Sequence, residues 1–141
     1  MKVLRALIAA AVLAISSAAS AGTGAITIDD DFGGSVGTYK MWYERVKESG
    51  VPVRVEGVCI SACTLVFALP PEQVCVANTA SFGFHLASTS EGPDPEFTQA
   101  LIRRFYPAPI RAWLASRRLE EKVIFLGGPA VVAMGVFKSC Q

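Results

Sequence analysis

Apolar residues recur along the chain in spacings that mark out a succession of short strands and helices. Ile26 and Ile28 share one face of an extended stretch over 25–28, and Asp29-Asp30-Asp31-Phe32-Gly33-Gly34 ends it in a turn. Val36, Tyr39, Tyr43 and Val46 then follow at helical spacing. Gly50 stands where a left-handed C-terminal cap belongs, which predicts a helix over 35–49. Val51, Val53 and Val55 alternate with less apolar neighbours, predicting a second strand that runs through Gly57 into Ile60. Ser61 opens an apolar helix over 62–69, stopped by Pro70-Pro71 because proline cannot continue it. Strands over 73–77 and 81–86 complete an order of strand, helix, strand, helix, strand, the mark of βαβ units and of an α/β fold.

The C-terminal third reads as helical. Asp94 is placed to cap and Pro95 to occupy the first turn of a helix whose apolar stripe is Phe97, Leu101, Ile102 and Phe105; Pro107 breaks it. Ile110, Trp113 and Leu114 line a second short helix, and the stretch 129–134 forms a last one stopped by Gly135. Trp113 with its apolar neighbours reads as core rather than as a membrane anchor.

The first residues change the picture of where this domain works. Lys2 and Arg5 precede an apolar run over 4–15, too short to span a bilayer comfortably, and Ala19-Ser20-Ala21 offers the small residues at which a signal peptide is cleaved. Gly22 rather than cysteine follows, which argues against a lipid anchor. The expectation is a signal peptide over 1–21 and a single compact domain over 22–141, periplasmic or secreted, with no membrane span after cleavage. Without residues 1–21 the chain keeps 11 basic against 12 acidic side chains, a formal charge of −1 that gives no footing for nucleic acid.

Export gives the four cysteines their meaning. Cys59, Cys63, Cys75 and Cys140 form an even set, read in an oxidising compartment as up to two disulfides, with three pairings open. A bridge holding Cys140 would staple the C-terminus to the domain. Cys59 and Cys63 lack redox CxxC spacing, and with neither a close CxxC pair nor paired histidines no metal site is expected. Asp29, Asp30 and Asp31 read as a solvated turn rather than a cation site.

Three features bear on chemistry: the Gly33-Gly34 turn, a serine between a strand and an apolar helix, and the lone histidine, His85. Singly, each has a commonplace structural explanation as a turn, a cap or a satisfied ring. Their order is more informative. Residues 32–36 read Phe-Gly-Gly-Ser-Val, residues 57–63 read Gly-Val-Cys-Ile-Ser-Ala-Cys, and His85 follows Ser81-Phe82-Gly83-Phe84, 24 positions after Ser61. This set resembles the Clp protease proteolytic subunit and its crotonase-like relatives, in which a Pro-Gly-Gly-Ser-Val turn, a helix-opening serine and a histidine recur in the same order. Val-Cys-Val-Ala-Asn at 74–78 is similar to the family's short strand before the histidine, and Phe-Leu-Gly-Gly-Pro-Ala at 125–130 resembles its last helix.

The resemblance implies an α/β fold of stacked βαβ units with Ser61 as nucleophile, His85 as general base, and the N–H groups of Gly34 and Ala62 as an oxyanion hole. A serine hydroxyl attacks a carbonyl only when a neighbouring base takes its proton, and glycine lets the backbone approach the oxyanion closely. Two departures matter. Val123 stands where the family carries an aspartate, leaving Glu121 as the acid nearest that position, and the segment that organises the family's double rings is reduced. The implied function is an exported serine hydrolase, a peptidase on peptide or protein substrates, without cofactor. No ATPase partner or coenzyme A chemistry is expected where ATP is lacking, and a homo-oligomer other than the family's rings stays open. The alternative is a catalytically inactive protein that keeps the fold for a binding or structural role, and a thiol-dependent function is a third reading.

Overall fold

The computed structural model describes residues 24–141, so the expected signal peptide lies outside the described residues. The first strand, β1 (Ile26–Ile28), leads through the glycine turn to helix α1 (Val36–Ser49). Gly50 ends that helix with φ of 65°, the left-handed cap its position predicts. The chain returns as β2 (Val53–Val55), continues as β3 (Val58–Ile60) and enters a 3-10 helix, Ser61–Ala68. A turn at Pro71–Gln73 leads to β4 (Val74–Val76) and β5 (Ser81–Phe84). A small hairpin, β6 (Ser88–Thr89) and β7 (Gly92–Pro93), precedes α2 (Pro95–Phe105) and α3 (Ala108–Ala115). The chain then forms β8 (Ile124–Gly127), α4 (Gly128–Ala133) and β9 (Lys138–Ser139).

These elements make one mixed α/β domain in which successive segments stack. The main sheet has the order β1-β2-β4-β9, all parallel, and a second has the order β3-β5-β8. Asp31, just past β1, pairs in parallel with Cys59 of β3, so each pass of the chain crosses first one sheet and then the other before its helix. The valine pattern drives this. Val53 stands opposite Val74 and Val55 opposite Val76, all four buried, whereas Arg54 and Cys75 face the other side. Each such valine contributes about 1.5–2 kcal/mol by leaving water. Phe67 anchors a second part of the core against Phe82 and Phe137, with ring centroids 4.8 and 5.4 Å away.

Several expectations are corrected. The stretch 51–60 is two strands in two sheets: Glu56 and Gly57 both direct their N–H groups to Ile28 O, and a Cβ on Gly57 would meet Asp29 Oδ1 and Asp30 N at 2.7 Å. That close passage turns the chain from one sheet to the next. The apolar segment after Ile60 is a 3-10 helix, and Ser61 is its first residue with no side-chain capping bond. The C-terminal third also holds strands, since β8 pairs antiparallel with β5 and β9 parallel with β4. By contrast, Asp94 caps α2 as expected, its Oδ1 accepting the Phe97 N–H at 2.9 Å. No described helix is long and apolar enough to cross a membrane.

Of the three pairings, the structure contains Cys59–Cys63 and Cys75–Cys140, with no free cysteine among the described residues. A thiol-dependent function has no thiol to use in this state. The Cys75–Cys140 bridge fixes the last residues beside β4 and closes a loop of sequence separation 65, against 4 for the other bridge. Loop-closure entropy predicts that opening Cys75–Cys140 costs about 4 kcal/mol and opening Cys59–Cys63 about 2 kcal/mol. Denaturant unfolding of the two paired cysteine-to-alanine variants measures the difference; equal losses would contradict it.

Candidate active site

Two neighbouring strand ends carry the serine and the histidine. β3 and β5 run parallel with Ile60 opposite Gly83, so Ser61 and His85 are each the first residue past their strand. Adjacent strands lie about 4.8 Å apart, and the carboxyl ends of parallel strands are where α/β folds gather their sites. Both residues are half-buried and line one small cavity of about 40 Å³, whose walls include the apolar side chains of Val36, Leu65, Leu101 and Leu114.

The serine stands on a strained turn. Ser61 has φ of 59°, a left-handed conformation that costs a non-glycine residue on the order of 1–3 kcal/mol. Gly33, with φ of 80°, packs directly against it. A Cβ on Gly33 would lie 2.6 Å from Ile60 O, 2.8 Å from Ser61 Cβ and 2.9 Å from Ala62 N, so no side chain fits. Asp31 shapes that glycine turn, its Oδ1 accepting the Gly33 N–H at 2.8 Å and the Tyr39 hydroxyl at 2.5 Å. The Cys59–Cys63 disulfide brackets Ser61 on both sides and is fully buried. From α1, the Tyr43 hydroxyl donates to Cys63 O at 2.8 Å.

Two amides near this turn are uncommitted. Among the described residues neither the Gly34 N–H nor the Ala62 N–H has an acceptor, and Ala62 stands in the first turn of the 3-10 helix, where N–H groups have no partner within the helix. Gly33, which packs against the Ser61 turn, is not itself a free donor, because its N–H is taken by Asp31. Asp30 is likewise engaged, its Oδ1 accepting the Val58 N–H at 3.1 Å, so two of the three acids serve backbone turns.

His85 has a partner that its sequence neighbourhood does not announce. Its Nδ1 lies 2.6 Å from Leu86 O. A carbonyl only accepts, so Nδ1 carries the proton and the neutral ring keeps its lone pair on Nε2, the tautomer a base requires. Glu121, the expected acid, is exposed and makes no hydrogen bond to His85 among the described residues. Its segment approaches through the backbone instead: Leu86 N–H donates to Glu120 O at 2.8 Å. Val123 packs against Gly83, where a Cβ would meet Val123 Cγ1 at 2.8 Å. Among the described residues no hydrogen bond joins Ser61 Oγ to His85.

The site also includes residues that the sequence reading missed. Every residue has a carbonyl, so nothing in the sequence distinguishes Leu86, and Tyr106 lines the cavity from a position remote in the chain. The three tyrosines share one electrostatic property. Burial pushes Tyr106 up to about 12 against a smaller opposing effect of its bond to Thr64, and Tyr39 rises to about 12 through burial and then its hydrogen bond and charge interaction with Asp31. Tyr43 is raised too, mainly by burial.

No family model matches the sequence, and no curated protein matches it. Among solved structures the chain is similar to a mutant of ClpP1 from Listeria monocytogenes, with 18% identity and a TM-score of 0.49 over 79% of this chain and 70% of that one.

Two outcomes follow from this geometry. Gly33→Ala destabilises the protein by more than about 1 kcal/mol, because both its φ and the space beside Ser61 exclude a side chain; an unchanged melting temperature would contradict the packing. Unfolded tyrosines ionise near 10, so the raised values add stability that is fully present below about pH 10 and lost as pH rises towards about 12. An ultraviolet titration should therefore show phenolate appearing well above pH 10 and together with unfolding. A free step of three tyrosines near pH 10 in folded protein would contradict it.

Proposed function

We propose that this protein is an exported serine hydrolase acting on peptide bonds, with Ser61 as nucleophile, His85 as base, and the Gly34 and Ala62 N–H groups as oxyanion donors. One observation carries the reading: a serine on a left-handed turn and a histidine with Nδ1 tied to a carbonyl line the same cavity from adjacent strand ends. In the step proposed, Ser61 Oγ bonds to the substrate carbonyl carbon while its proton passes to His85 Nε2. The oxyanion is held by main-chain N–H groups. On collapse the C–N bond breaks and His85 returns the proton to the leaving amine; water then releases the acyl group by the reverse sequence.

Leu86 O takes the orienting place that a carboxylate holds in a Ser-His-Asp set. It selects the same tautomer but brings no negative charge to the imidazolium that forms, so turnover is slow. The two disulfides and the signal-like segment over 1–21 support a periplasmic or secreted location.

A binding or structural role without turnover is favoured by a different observation: no carboxylate contacts His85 among the described residues, and Ser61 Oγ is not hydrogen-bonded to it. A fluorophosphonate probe separates the two readings. In labelling, the serine oxygen bonds to phosphorus, fluoride leaves and the serine proton passes to the histidine. Purified mature protein should be labelled, Ser61→Ala should abolish the label, and His85→Ala should slow it on the order of 10³-fold or more. Folded wild-type protein that takes up no label at saturating probe would overturn the hydrolase reading and support the rival.

A further inference from the structure

The carbonyl of Ser61 and the N–H of Ala62 are two ends of one peptide unit, and the carbonyl end is held by a side-chain hydroxyl. Thr64 Oγ1 lies 2.5 Å from Ser61 O. Since a carbonyl only accepts, the threonine hydroxyl donates there and its single proton is spent. The Tyr106 hydroxyl lies 2.6 Å from the same Oγ1, so at that contact the tyrosine donates. The bonds therefore run in one direction, from the Tyr106 O–H to Thr64 Oγ1 and from the Thr64 O–H to the Ser61 carbonyl. Thr64 is buried, and the Tyr106 ring is wedged edge-on between Phe67 and Phe84, with centroids 5.8 and 5.7 Å away.

We propose that Thr64 and Tyr106 are positioning residues that hold and polarise the Ser61–Ala62 peptide so that its N–H serves as the oxyanion donor. This rests on the reading of Ser61 as nucleophile. A hydrogen bond accepted at the carbonyl end of an amide withdraws electron density from its nitrogen and strengthens the N–H as a donor, and a chain of two such bonds does so cooperatively. The peptide also belongs to a residue with unfavourable φ, so a pin on its carbonyl fixes an orientation the backbone alone disfavours. Tyr106 caps the C-terminal end of α2 and lines the cavity with Ser61, so the chain ties the helical part of the domain to the nucleophile turn.

The test uses Thr64→Val, which keeps shape and loses the hydroxyl, Thr64→Ser, which keeps the hydroxyl, and Tyr106→Phe. Two readouts are taken on each: the fluorophosphonate labelling rate and the 15N shift of the Ala62 amide. Labelling should fall about tenfold in Thr64→Val and about threefold in Tyr106→Phe, with Thr64→Ser within about twofold of wild type. The Ala62 resonance should move upfield in Thr64→Val and Tyr106→Phe and stay in place in Thr64→Ser. Should Thr64→Val fail to fold, Tyr106→Phe and Thr64→Ser decide. Wild-type labelling rates and an unmoved Ala62 amide in Tyr106→Phe overturn the proposal, as does a serine variant that behaves like the valine one. An unlabelled wild type sinks the hydrolase reading instead, and the Ala62 shift then still reports whether the chain polarises the peptide.

Discussion

Ser61 holds a left-handed backbone because everything packed around it leaves no other course. Gly33 fills the space a different turn would need, and its missing side chain lets one strand end pass within contact of another. The Cys59–Cys63 bridge ties the residue two before the serine to the residue two after it, which limits how far this turn can open. Thr64 and Tyr43 then pin the carbonyls of Ser61 and Cys63 from inside the domain. A conformational cost of a few kcal/mol at one residue is thus carried by covalent, steric and hydrogen-bonding constraints acting together.

The stacked architecture explains why those constraints meet at one place. Each pass of the chain leaves the main sheet, crosses the second sheet and enters a helix, so the exits of successive passes fall side by side. Ser61 and His85 are two such exits, and the glycine turn after β1 is the exit of the preceding pass. Helices α2 and α3 close the far side of the cavity with apolar side chains. Three segments remote in sequence are thereby brought side by side by the parallel register.

The histidine shows how a ring can be oriented by the main chain alone. A carbonyl from the next residue fixes the ring and its tautomer at almost no structural cost, since it needs only a local turn of the backbone. No carboxylate is hydrogen-bonded to the ring among the described residues: Glu121 is exposed and Val123 packs against Gly83. The same economy appears at the acids after β1, where Asp30 and Asp31 are used to shape turns.

Much of this was legible in the order of residues. The helical spacing of Val36, Tyr39, Tyr43 and Val46 with Gly50 behind it, the Asp94-Pro95 start of α2, and the alternating valines of β2 each encode their local element, because periodicity and capping act over a few residues. Ser61, His85 and the glycine turn stood out only through their order along the chain, since each alone reads as a cap, a satisfied ring or a turn. What required the folded molecule were relations between distant backbones: the division of 51–60 into two sheets, the pairing of β8 with β5, the packing of Gly33 against the Ser61 turn, and the Leu86 carbonyl as partner of the histidine. Main-chain groups are alike at every residue, so only tertiary packing decides which of them a side chain meets.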